Sequence, residues 1–184
     1  MDMEMSGLDP ATCRPLEIAT LITDADLEII AEGPSLIIHQ SDEVLAAMDK
    51  WNTEHHGDSG LTAAVRASTI SEAEAEQATL DFLAAYLDPR VSPLCGNTIS
   101  QDRRFLRRYM ARLDEFFHYR SVDISTIKEL VRRWYSLAPP AKQTTHRALD
   151  DIKESVEELR WYKKVVFRDS PRLGEIGIAA QSDD

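Results

Sequence analysis

Asp2 and Glu4 stand two residues apart at the start of the chain, in Met1-Asp2-Met3-Glu4-Met5-Ser6-Gly7-Leu8-Asp9-Pro10. In an extended strand alternate side chains share a face. A strand over residues 1–5 therefore points both acids one way and Met1, Met3 and Met5 the other. Two like charges that close repel unless a cation lies between them. A hard divalent ion with oxygen ligands is an economical solution. The same pair also fits a solvated terminal segment ahead of the Gly7–Pro10 turn.

Two more acids stand out by position. Asp102 precedes Phe105 and Leu106 by three and four residues, which puts it on the apolar stripe of its helix. A carboxylate there is costly unless paired or metal-bound. Complementing the helix dipole in the first turn, with Ser100 as cap, is the alternative. Further on come His146 and the pair Asp150-Asp151. With Ile152 at the centre of the apolar face and roughly 100° per residue, Asp150 falls opposite, beside Glu154 and Glu157. Asp151 falls at the edge of the apolar face and is the inward acid. His146 lies at the helix start, where loop-like geometry could turn it inward, though a lone histidine there is more often structural than catalytic. Together these are four acids and a histidine. Two divalent metals would neutralise four carboxylates and stabilise the attacking and leaving oxygens of an in-line phosphoryl displacement. A histidine titrating near neutrality suits a general base for the attacking water.

The elements that must hold these residues follow from periodicity. Residues 1–5, Leu16–Asp24 and Leu27–His39 read as three strands in an antiparallel meander, the last with a break or bulge at Gly33-Pro34. Ser41 caps a helix running to about Asn52, and Gly60–Ser68 is a shorter helix. Ser71-x-x-Glu74 fits a capping box ahead of a strong helix that Pro89 ends. Val91–Cys95 is a short strand, and Ser100–Phe117 is one amphipathic helix. Ser121–Ile124 is a strand, Ser125–Tyr135 a helix capped by Ser125 or Thr126, and Thr145–Phe167 the last long helix. Strands in a meander followed by strands alternating with helices predict an α/β fold with helices covering a mixed sheet. Residues 1–168 read as one domain and 169–184 as a flexible acidic tail.

Composition narrows the function classes. The chain has 184 residues, enough for one core, with 43% hydrophobic and 29% charged residues. It contains no apolar run long enough to span a bilayer and no signal-like segment. Cys13 and Cys95 have no metal-ligand spacing, which fits a reducing, cytoplasmic setting. A net charge of −11 argues against coating long nucleic acid by general phosphate neutralisation. It leaves room for a short nucleic-acid substrate held by local cations. The one dense basic cluster is Arg103, Arg104, Arg107 and Arg108.

The motifs resemble the DEDDh exonuclease family, which has the ribonuclease H-like fold. The resemblance is carried by Asp2-x-Glu4-Met5-Ser6-Gly7-Leu8-Asp9-Pro10, Glu17-Ile18-Ala19-Thr20, Met48-x-x-Trp51-Asn52, Cys95-Gly96-Asn97 and Gln101-Asp102-Arg103-Arg104-Phe105-Leu106. Phe117-His118-Tyr119-Arg120, Asp123-x-Ser125-Thr126-x-Lys128-Glu129-Leu130 and His146-x-Ala148-x-Asp150-Asp151-Ile152 extend it across residues 2–167. The family carries an apolar pair ahead of the D-x-E, so the resemblance implies a longer first strand than the one that starts here at Met1.

The resemblance implies a 3′-to-5′ exoribonuclease of the branch that cleaves very short oligonucleotides, down to dinucleotides. Asp2, Glu4, Asp102 and Asp151 would hold two Mg²⁺ or Mn²⁺ ions, and His146 would be the base. Leu8 would wedge between two bases, and Trp51 would stack on one. His56 and Tyr119 match further active-site positions. Thr98, Arg120 and Ser125 would cap a 5′-phosphate, Ser125 standing where free helix N–H groups favour an anion. The family is homodimeric, with Tyr119 and Arg120 the candidates for completing the partner's site. Trp51 as a core residue and Ser125 as a plain N-cap are the structural alternatives. A general DEDDh exonuclease for longer RNA or DNA ends and a weakly active binding protein are the competing functions.

Overall fold

The computed structural model describes residues 1–139 and 147–167. Its elements run β1 (Asp2–Met5), β2 (Pro15–Thr23), β3 (Ile29–Ile37), α1 (Asp42–Ala46), α2 (Lys50–Asp58), α3 (Leu61–Ala67), α4 (Glu72–Ala84), β4 (Pro93–Gly96), α5 (Ile99–Tyr109), α6 (Ala111–Phe116), β5 (His118–Asp123), α7 (Ile124–Tyr135) and α8 (Ala148–Val165). The first three strands form an antiparallel sheet in the order β1-β2-β3, and β4 pairs with β5 in parallel. This is the expected α/β arrangement of meander, parallel strands and flanking helices, except that the mixed sheet is two ladders. They meet where the Met1 amine donates to the Cys95 carbonyl at 2.9 Å. Gly96 permits that approach, because a Cβ there would lie 2.7 Å from the Met1 carbonyl oxygen.

The alternation read in β1 holds. Met1 and Met3 are buried in the main core with Ile18, Ile22, Phe105 and Leu106. Asp2 pairs with Ala19 and Glu4 with Glu17 in the antiparallel register. On that other face α8 packs through Ala148 and Ile152 against Ala19. Ala19 and Ala148 are both fully buried, and their small side chains let the backbones of α8 and β2 come close. That approach brings the acids of α8 to those of β1.

The capping box on α4 forms in full: the Ser71 hydroxyl accepts from the Glu74 N–H, and the Glu74 carboxylate accepts from the Ser71 N–H. Elsewhere the boundaries differ from expectation. The helix expected from Ser41 to Asn52 is two: α1 stops at Ala46 with Ala47 as its C-cap, and Asp49 starts α2, its carboxylate accepting from the Asn52 N–H at 2.8 Å. The helix expected over Ser100–Phe117 breaks at Met110, whose φ of −141° and ψ of 58° leave the helical region. The break turns Leu113 into the core, where the buried Glu76 carboxylate accepts from its N–H at 3.1 Å. Ser100 does not cap α5; Thr98 occupies that position. Ser125 does not cap α7; the carboxylate of Asp123 does, accepting from the Ser125 N–H at 2.9 Å. His146 and residues 169–184 lie outside the described residues.

Candidate functional site

β1 and α8 together build an acidic cluster. Oxygen atoms of Asp2, Glu4 and Asp151 all lie within 4.8 Å of one another. Asp2 and Glu4 share a strand face, and Asp151 sits one turn into α8, while its neighbour Asp150 is exposed. Asp102, from the first turn of α5, stands beside this trio. It is only 4% exposed, and its Oδ1 has no hydrogen-bond partner. Its position on the apolar stripe is thus a buried one, and an orphaned carboxylate oxygen there needs a cation or a proton.

The electrostatics say the same. Burial, then the charges of Asp2, Asp151, Glu17 and Asp102, push Glu4 up to about 8. Burial and the Asp2 charge push Asp102 up to about 8. Such values mark carboxylates held together without enough positive charge nearby. Four hard oxygen donors with surplus negative charge fit a divalent cation.

Sequence reasoning missed the groups that fix this cluster. Glu17 lies opposite Glu4 on β2 and is fully buried. Arg147 donates to it through Nε and Nη2, both at 3.1 Å, and Ser35 donates at 2.8 Å. The hydrogen bonds that Arg147 donates to Glu17 raise the pKa of its guanidinium further. This clamp fixes the first residue ahead of α8. Glu17 hid behind an ordinary strand pattern, since only the fold reveals Arg147 as its partner across 130 positions.

The expected substrate residues divide by environment. Leu8, on the turn after β1, is 74% exposed, and Trp51 is 55% exposed with its ring stacked 3.9 Å from that of His55. Trp51 is therefore no core residue. The Leu8 carbonyl accepts from Gln101 and Arg104 of α5, which anchors the turn next to Asp102. His56 is buried instead: its Nε2 lies 3.0 Å from the Met5 carbonyl, and its Nδ1 lies 4.0 Å from Glu4. It neighbours the acids rather than open space.

Thr98 and Ser125 come together, their hydroxyls 2.9 Å apart. The anion-binding role expected of the Ser125 N–H is already taken by Asp123. Arg120 packs on the exposed Tyr119, its guanidinium 5.4 Å from the ring centre. Of the basic cluster, Arg103 is not a surface charge. It is buried, bonded to Asp114 at 2.8 Å and to the His118 carbonyl at 2.8 Å. Among the described residues no helix is long and apolar enough to cross a membrane.

An α/β domain whose first strand, fifth helix and eighth helix converge four carboxylates is the architecture of a nuclease, and the family model described as Exonuclease matches residues 1–159. Proteins named oligoribonuclease from Shewanella oneidensis and Shewanella frigidimarina are each 57% identical over 170 residues, covering 91% of this chain and 94% of theirs. The oligoribonuclease of a Shewanella baltica strain is 56% identical over the same coverage. The chain belongs to the oligoribonucleases of this exonuclease family, with the ribonuclease H-like fold. It is a hydrolytic exoribonuclease.

Proposed function

We propose that the chain degrades very short RNA from the 3′ end, 5′-phosphorylated dinucleotides above all, releasing nucleoside 5′-monophosphates. The observation that carries this reading is the convergence of Asp2, Glu4 and Asp151 within 4.8 Å beside the orphaned, buried Asp102. Those four residues would hold two divalent ions, Mg²⁺ or Mn²⁺. Bound there, the ions supply charge stabilisation to the attacking and leaving oxygens of phosphodiester hydrolysis.

The chain's own residues do the rest. A ring nitrogen of His146 takes the proton from the attacking water, a role supported by its H-x-x-x-x-D spacing to Asp151. Tyr119 joins the reacting end of the site. Leu8 enters between the two bases, and Trp51 stacks on one; both are exposed, as a contact with substrate requires. His56 keeps β1 and α2 in register beside Glu4. Thr98 and Arg120 receive the 5′-phosphate, with the Ser125 hydroxyl 2.9 Å from that of Thr98 and holding it in place, and the phosphate closes the groove that a longer strand would need. Tyr119 is 74% exposed and Arg120 lies over its ring. That exposure supports a homodimer in which this pair completes the partner's site. The paired absence of a disulfide at Cys13 and Cys95 is compatible with a cytoplasmic setting.

The test compares a 5′-phosphorylated RNA dimer with a seven-mer, each with Mg²⁺ or Mn²⁺ and with chelator. The dimer is expected to be cleaved far faster, and only with metal. Equal rates on both lengths would overturn the dinucleotide reading in favour of a general exonuclease for single-stranded ends.

A further inference from the structure

We propose that Asn97 is a positioning residue that ties the 5′-phosphate contacts to the helix carrying Asp151; the inference rests on the reading of Thr98 and Ser125 given above. Asn97 lies between β4 and α5, where α7 and α8 also meet. Its Nδ2 donates to the Ser155 hydroxyl of α8 at 2.7 Å. The Ser155 hydroxyl in turn donates to the Asp151 carbonyl at 2.7 Å. On its other side the Asn97 Oδ1 accepts from the Ser125 hydroxyl of α7 at 3.2 Å. Donor and acceptor ends of the amide are thus both assigned by their partners.

The proton directions then follow. A serine hydroxyl has one proton, and that of Ser125 is spent on Asn97. The Ser125 oxygen therefore accepts from the Thr98 N–H at 3.0 Å and from the Thr98 hydroxyl at 2.9 Å. Thr98 itself has a φ of 51° and a ψ of 33°, a left-handed conformation rare for a β-branched residue. Backbone held in such a region persists only where the surroundings impose it. Here the Thr98 N–H is shared between Ser125 and the Asp123 carboxylate, the latter at 3.1 Å. A phosphate offers only acceptors, so it must draw a hydroxyl proton out of this network. Thr98 is the one that can give it: its N–H still holds Ser125, and Ser125 still holds Asn97. Asn97 thereby aims Thr98 at the phosphate and links that contact, through Ser155, to the turn of α8 that bears Asp151.

The experiment measures kcat/KM with Mg²⁺ for a 5′-phosphorylated dinucleotide and for its 5′-hydroxyl counterpart, in the wild type, Asn97→Ala and Ser155→Ala. Loss of folded protein lowers both substrates alike and leaves their ratio unmoved. Loss of positioning lowers the ratio. Asn97→Ala is expected to cut the preference for the phosphorylated dimer about tenfold, the scale of one hydrogen bond to a charged group. Ser155→Ala, which removes only the anchor on α8, is expected to cut it as well, and it decides the matter if Asn97→Ala does not fold. A wild type that does not discriminate between the two substrates overturns the functional reading. A discriminating wild type whose preference survives in both variants overturns the role of Asn97.

Discussion

Glu4 and Asp102 make the metal-free protein sensitive to pH in an unusual direction. Both carboxyls are pushed up to about 8, Glu4 from 4.5 and Asp102 from 3.8. A group that binds its proton more tightly when folded stabilises the fold at low pH. That contribution is fully present below the unfolded values, near pH 4, and is lost as pH rises through about 8. Each tenfold in proton affinity is worth about 1.4 kcal/mol. Glu4 alone, moved from 4.5 to about 8, corresponds to roughly 5 kcal/mol. Asp102 shares part of the same repulsion, since Asp2 raises both and Asp102 raises Glu4, so the two contributions do not simply double. Burial lowers the pKa of the Met1 amine, which works in the opposite sense toward pH 8. The expected net loss between pH 5 and pH 8 is about 4 kcal/mol, or about 10 °C in Tm for a chain of this size. Thermal unfolding in EDTA across that range measures it. Saturating Mg²⁺ should restore the loss at pH 8 by binding the folded state alone. Asp102→Asn should flatten the metal-free slope and abolish metal-dependent cleavage. A metal-free Tm that stays level or climbs from pH 5 to pH 8 would refute the placement of these acids as an uncompensated cluster.

Two further outcomes test the surroundings of the site. Arg147→Ala leaves the Glu17 carboxylate buried with Ser35 and the Ala148 N–H at 3.5 Å as its remaining donors. Breaking a buried pair is costly, but the Arg147 side chain is 37% exposed, so a loss of about 3 kcal/mol in urea unfolding is expected. A loss below about 1 kcal/mol, the range of exposed ion pairs, would mean the clamp is not structural. Trp51→Ala should raise KM for a dinucleotide by about tenfold with little change in Tm, given stacking worth roughly 1–3 kcal/mol per base. An unchanged KM would remove Trp51 from the substrate site.

Much of the fold was legible in residue spacing. The two-residue period of β1 placed Asp2 and Glu4 together and Met1 and Met3 in the core. The 3.6-residue period of α8 separated inward Asp151 from exposed Asp150, and that of α5 buried Asp102. These are local properties: the direction of a side chain relative to its own element depends on its neighbours in sequence. The capping box of α4 was legible for the same reason.

Other features waited on tertiary structure because their causes lie far away in sequence. Met110 breaks a continuous amphipathic pattern so that Leu113 can meet Glu76 of another helix. Arg103 reads as a surface charge until Asp114 and the carbonyls of β5 surround it. Ser125 reads as a helix cap until Asp123 takes that place and frees its hydroxyl for Asn97. The sequence alone determined which acids face inward. Only the packing of α8 on Ala19 decided that they meet, because the distance between two elements is set by the side chains between them and by nothing within either one.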